Sequence, residues 1–224
     1  MQTSMRVADW FAWSPGRSDR QAWRAWAGTQ QMAMADPAAA IVLPMLLRRR
    51  LSPLGQALLA AALACGDAAC RARLILATRH GELARTVNIL QALSDATPPS
   101  PADFSLSVHH SLLGLLSIHT GNRHAHAAIS AGGDSFVCGL LEASACLHAV
   151  PEEPVLLLFA EEALPPPYDE VFPDAAKETP LALALLLTKR QGTEIASLIS
   201  KTGSMSALEF LHAFLKAEAA LADA

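Results

Sequence analysis

Small apolar residues, two glycines and a helix-like run follow one another in "AHAAISAGGDSFVCGLLEASACL", Ala125 to Leu147. The apolar stretch predicts a strand. Gly132-Gly133 predict a tight turn, because glycine adopts backbone angles that other residues resist, and the remainder predicts an amphipathic helix. Strand–turn–helix elbows serve catalysis. The turn exposes one side chain, and the helix N-terminus directs N–H groups and the positive end of its dipole toward developing negative charge. At the position where a nucleophile would stand, this chain has glycine. Two readings of the turn stay open. Ser135 or Asp134 is the reactive group of a stand-alone thioester hydrolase with His109 as base, or Asp134 or Ser135 caps the helix while the glycines allow close packing.

The flanking sequence sets the elbow in a layered fold. "MRVADWFAWS", with Val7, Trp10 and Trp13, predicts a strand ending at Pro15-Gly16, and Trp23 and Trp26 lie in a short helical stretch. "LSPLGQALLAAALACG" has Ser52 as N-cap, Pro53 at the first helical position and Gly66 as a stop, with little polar between, so it predicts a helix buried on most faces. Leu74 to Thr78 reads as a buried strand, His80-Gly81 as a turn and Leu83 to Ser94 as a helix. In "ADFSLSVHHSLLGLLSIHTGN", Val108, Leu112, Leu115 and Leu116 predict a helix that Gly121 stops. "PEEPVLLLFAEE" supplies a buried strand ending in Glu161 and Glu162, "ALPPPYDEVFPD" a proline-rich loop, and "PLALALLLTKR" a further strand. Leu208, Leu211, Phe214 and Leu215 share one face of a closing helix. Strands alternating with helices imply an α/β layered sheet, and the whole chain, residues 1–224, reads as one domain.

Composition narrows the function. With 52% hydrophobic residues among 224, the chain holds a large core or a sizeable partner interface, and its net charge of -4 gives no general attraction to nucleic acid or an anionic membrane. Arg48 to Arg50 form a local basic cluster, read as a solvated segment before a helix. The N-terminus lacks the charged start and apolar stretch of a secretory signal, and the longest apolar runs are too short to cross a bilayer as a helix. Cys65, Cys70, Cys138 and Cys146 have no paired metal-site spacing and read as reduced thiols of a cytoplasmic protein. Cys138 is a packing residue inside the helix after the elbow. Five of the eight histidines, His109, His110, His119, His124 and His126, fall in a short span. His124 and His126 share a strand face, but no Cys, Asp or Glu at ligand spacing accompanies them, so no metal or cofactor is expected. Glu161 and Glu162 end a strand where loops of open α/β sheets carry function, in a capping or hydrogen-bonding role.

The run "SPADFSLSVHHSLLGLLSIHTGNRHAHAAISAGGDSFVCGLLEAS", followed by "EEPVLLLFAEEALPP", resembles the N-terminal half of a β-ketoacyl synthase, a thiolase-like fold, from about residue 45 to 165. The resemblance implies a single thiolase-like half, a mixed sheet of about five strands covered by helices. Laid on the synthase pattern Val-Ser-Thr-Ala-Cys-Ala-Ser/Thr, "ISAGGDS" puts Gly133 on the nucleophile, where no thiolate can form. The family's two catalytic histidines belong to a C-terminal half that this chain does not contain, and "HTG" at His119 to Gly121 precedes the elbow. "RRRLSPLGQALLAAAL", "LATRHGELARTVNILQALS" and "FSLSVHHS" are similar to short chain-length-factor-like subunits of type II polyketide and aryl polyene systems. By that resemblance the chain is non-catalytic and forms a heterodimer with a full-length β-ketoacyl synthase. It would meet acyl carrier protein only indirectly and would shape the partner's acyl tunnel. The strand entering the elbow, Arg123, His124, Ala125, His126, Ala127, Ala128, Ile129 and Ser130, is the implied interface. Gly132, Gly133, Asp134, Ser135 and Phe136 are implied near the shared tunnel; which residue closes it stays open, Phe136 being singled out by size and position alone. A structural homodimer without an acyl partner is the remaining alternative.

Overall fold

The computed structural model describes residues 4–29, 43–172, 179–199 and 205–222. Among them are six strands in one mixed sheet and eleven helices, one strand more than expected. The strands are β1 (Arg6–Trp13), β2 (Arg73–Ala77), β3 (His126–Ile129), β4 (Val155–Glu161), β5 (Leu181–Thr188) and the two-residue β6 (Thr193–Glu194), in the order β3-β2-β4-β5-β1-β6. β2 runs parallel to β3 and β4, whereas β5 is antiparallel to β4 and β1. The near-continuous apolar runs of β2, β4 and β5 fit strands covered on both faces. β3 is half-buried at best and ladders only with β2, which leaves it at the edge.

Each face of the sheet carries its own core. On one side α3 (Pro53–Ala64) and α7 (Ser111–Thr120) pack Leu58, Leu59, Leu113 and Leu116 against Leu74, Leu76, Leu156 and Leu158. α1 (Arg20–Thr29), α8 (Ser135–Ala149) and α11 (Ala207–Ala222) cover the other with Trp23, Phe136, Leu140, Phe210 and Phe214 over Ile75, Leu157 and Leu185. Each such buried side chain contributes about 1.5–3 kcal/mol of transfer free energy. α8 lies close on the sheet because Gly139 has no side chain: a Cβ there would stand 2.8 Å from Ala77 Cβ and 3.1 Å from Leu157 Cδ1.

Local signals account for most element ends. Ser52 caps α3 as expected, its hydroxyl accepting from the Gly55 N–H, and the same hydroxyl donates to Glu82 Oε1 at 2.6 Å. Glu82, buried before α5 (Leu83–Ser94), also accepts from Arg85 Nε, and Arg85 donates on to Asp103 of α6 (Pro101–Leu106), so one network ties three helices together. Gly121, at φ 68°, stops α7.

Three expectations need correction. The single helix expected through Val108 is two: Ser100 caps the short α6, and His109 and His110 lie in the turn before α7, leaving Val108 exposed. In α11 the inward face is Ala207, Phe210, Leu211, Phe214 and Leu215, while Leu208 is exposed, because i, i+3, i+4 counted from Ala207 selects Phe210 and Leu211. The proline-rich loop contains one helical turn, α9 (Tyr168–Val171), and its Pro173 and Asp174 lie outside the described residues. The remaining short helices are α2 (Met45–Arg48), α4 (Ala68–Arg71) and α10 (Ala196–Ile199).

Candidate functional site

The elbow lies in the bend between β3 and α8, with Gly133 at its centre. Gly132 has φ 58°, a left-handed conformation that glycine adopts at little cost, and Gly133 faces open space. Ser135 locks the turn. Its hydroxyl donates to the Gly132 carbonyl at 2.7 Å and accepts from the Ala131 N–H at 3.0 Å. Both bonds hold Ser135 Oγ inside the turn, in a residue only 2% exposed. The Asp134 side chain makes no cap bond to α8, so the closure by Ser135 is what fixes the helix start. His109 is elsewhere. Its ring packs over Gly81 and lines a small cavity with Leu54, Thr78 and Glu82, separate from the cleft that Ser135 lines. The structure therefore does not bring Ser135 and His109 together as nucleophile and base.

β3 owes its position to Asn122, a residue that the sequence reading missed. Buried before the strand, Asn122 donates from Nδ2 to the carbonyls of Ala69 and Ala72, 3.0 and 2.9 Å away, and accepts from the His124 N–H. These bonds clamp the entry of β3 to α4 and the start of β2. A polar side chain just after a left-handed glycine was the only signal for it. The other histidines are engaged separately: His124 Nδ1 pairs with Glu153 at 2.9 Å, and His126 stacks on His110 with 2.6 Å between Nδ1 and Nε2. Burial, then the neighbouring His126, holds His110 below its ordinary range. Among the described residues no group of three or more His, Cys, Asp or Glu could hold a metal ion, and no helix is long and apolar enough to cross a membrane.

Among the described residues, one side of the β3 backbone has no partner strand. The Leu74 N–H donates to the Ala125 carbonyl and the Thr78 N–H to the Ile129 carbonyl, so residues 125, 127 and 129 face β2. In a parallel ladder alternate residues bond the same neighbour, which turns the N–H and C=O of His126 and Ala128 toward the open edge. Arg123, His124, Ala125 and Ser130 are exposed, and Ala127, Ala128 and Ile129 are half-buried.

Beneath the elbow is a cleft of about 310 Å³ lined by Gly132, Gly133, Ser135 and Phe136 on one side and by Phe159, Glu161, Arg79 and Arg17 on others. Phe136 is 2% exposed and packs edge-on against Phe159 and at a tilt against Phe210, so its ring lies in the chain's own core. Glu161 ends β4 and accepts from the Arg79 N–H at 2.6 Å. Glu162 is pushed above the usual carboxylate range by burial first and Glu82 second. Arg17 and Arg79 escaped the sequence reading because they are far apart in the chain and belong to no motif.

A mixed sheet between two helical layers, with a strand–elbow–helix at its edge, defines one half of a thiolase-like fold. The family model of the β-ketoacyl synthase N-terminal domain matches residues 23–221, and the chain belongs to that family. Among solved structures it is similar to a ketosynthase (ApeO) in complex with its chain length factor (ApeC) from Xenorhabdus doucetiae, with 33% identity and a TM-score of 0.79 over 95% of this chain and 92% of that one. Since nearly all of both chains is matched, the matched chain is of about the same length. The ishigamide ketosynthase/chain length factor is similar at 16% identity and a TM-score of 0.65, and the fold is shared with AntDE:AntF, a type II PKS acyl-carrier protein in complex with its ketosynthase bound to the hexaketide, at 15% and 0.65. This chain spans 62% and 64% of the length of those two. A comparison with curated protein sequences found no match.

Proposed function

We propose that this chain is a non-catalytic, chain-length-factor-like subunit that pairs with a full-length β-ketoacyl synthase and shapes its acyl tunnel. The observation that carries the reading is the open edge of β3 leading into an elbow centred on Gly133, a residue with no nucleophilic atom. An edge strand with unpaired backbone groups is a template for strand addition, and the partner's equivalent strand is a fitting cover. The similarity to a ketosynthase–chain length factor complex supports that choice of partner.

In this reading, Arg123 to Ser130 form the interface, and Gly132 to Phe136 border the joint between subunits. The partner supplies the cysteine that carries the acyl group and the histidines that assist decarboxylative condensation. This chain meets acyl carrier protein only through the complex. Aryl polyene synthesis is the system we favour, on the sequence resemblance described above. Residues 1–224 act as one domain, and the complex is cytoplasmic, in keeping with four unpaired cysteines.

The test is reconstitution. Co-expressed with a full-length synthase, the chain is expected to co-purify and to give condensing activity on acyl-carrier-protein thioesters that neither subunit shows alone. Condensation by the isolated chain, or no association, contradicts the proposal.

A further inference from the structure

The turn that ends β1 is built to hold one side chain. In Ser14-Pro15-Gly16-Arg17, proline presets the first corner and Gly16, at φ 78°, takes the second, the pattern of a type II turn. Ser14 and Arg17 exchange two backbone hydrogen bonds at 2.9 Å, so the Arg17 main chain is fixed. Its guanidinium carbon stands 4.8 Å from the Trp23 ring and 5.1 Å from the Trp26 ring. The residue is only 7% exposed, and Nε and Nη1 are buried with no hydrogen-bond partner among the described residues.

Such an arrangement is costly for a fold alone. Two aromatic faces attract the cation, but in-plane N–H donors still need acceptors, and a guanidinium does not shed its proton to escape. Burial pulls Arg17 below its ordinary range. Arg17 lines the elbow cleft. Arg79 lines it too, and so do Gly132, Gly133 and Ser135 at the N-terminus of the 15-residue α8, where the helix dipole favours negative charge. Among the described residues the lining holds one carboxylate, Glu161, which accepts from the Arg79 N–H. Asp134 stands at the helix start outside the lining. With about 310 Å³, the cleft holds far more than a single water, whose share of liquid volume is about 30 Å³.

We infer that the cleft beneath the elbow is an oxyanion-binding site anchored by Arg17, taking the carboxylate or phosphate group of a small ligand. It does not depend on the chain's association with a synthase. Each charge-assisted hydrogen bond lost from such a site weakens binding by roughly tenfold or more.

The test is calorimetric titration of the purified full chain, at constant ionic strength, with inorganic phosphate in one arm and propionate in the other. Saturable one-to-one binding of at least one anion is expected, and the better binder identifies the headgroup. Arg17→Met should weaken it by about tenfold or more. Arg17→Lys, which keeps the charge and reports should the Met variant fail to fold, should weaken it several-fold by losing the planar fork. Arg190→Gln, at an exposed ion pair with Glu152, should change nothing. Absence of saturable binding by both anions overturns the inference. So does wild-type affinity in either Arg17 variant, or an equal loss in Arg190→Gln.

Discussion

Replacing Ala128 by proline separates the open edge of β3 from its role in the sheet. The Ala128 N–H faces away from β2, so proline there deletes no ladder bond within the chain, and the preceding Ala127 is already extended, as a residue before proline prefers. The fold should therefore keep its stability to within about 0.5 kcal/mol. Against a partner strand the effect is large. One donor is lost, the facing carbonyl is buried without a partner at a cost of about 1–3 kcal/mol, and the proline ring occupies the space that strand needs. Loss of the hydrogen bond alone weakens association by roughly 5- to 150-fold. Ala127→Pro is the opposite control. Its N–H faces β2, so it should lower folding stability by about 1–3 kcal/mol. Urea denaturation and surface plasmon resonance against the synthase read both quantities. If Ala128→Pro binds the synthase like wild type, or unfolds as readily as Ala127→Pro, the assignment of the free side of β3 is wrong.

Two further expectations concern the elbow and its neighbours. Gly133 faces open space with no left-handed φ, so Gly133→Cys should fold normally, yet the isolated variant should form no carbon–carbon bond in a thioester condensation assay; detectable product would contradict the non-catalytic reading. Because burial holds His110 below its ordinary range, the folded chain binds fewer protons there than the unfolded chain. The associated stability is present above the unfolded value of about 6.5 and lost as pH falls through the folded value. Urea midpoints should fall between about pH 7.5 and 5.5, more steeply in wild type than in His110→Gln; identical slopes would refute the attribution.

The layered architecture was legible because each of its signals is local. The cap at Ser52, the apolar runs of β2, β4 and β5, and the glycine stop at Gly121 are short-range patterns that tertiary packing reinforces. The elbow was legible for the same reason: Gly132-Gly133 between an apolar strand and a helix has few other uses. Where local signals compete, the reading failed. The periodicity through Val108 looked continuous, but Ser100 starts a helix that ends before the histidines, and the inward face of α11 takes Ala207 and Phe210 in place of Leu208. Arg17, Arg79 and Asn122 were not legible at all. Asn122 meets its partners about fifty residues away, Arg79 reaches the cleft from a different segment than the elbow, and Arg17 is defined by burial against Trp23 and Trp26 that no pattern in the chain encodes.

Hydrogen exchange at the edge strand tests the central claim most directly. Measured on the chain alone and then bound to a full-length synthase, the amides of His126 and Ala128 should exchange rapidly in the first state and become protected in the second, while Ala127, bonded toward β2, changes little. A complex in which His126 and Ala128 exchange as fast as in the free chain would contradict the account, because the partner would then be seated somewhere other than on β3.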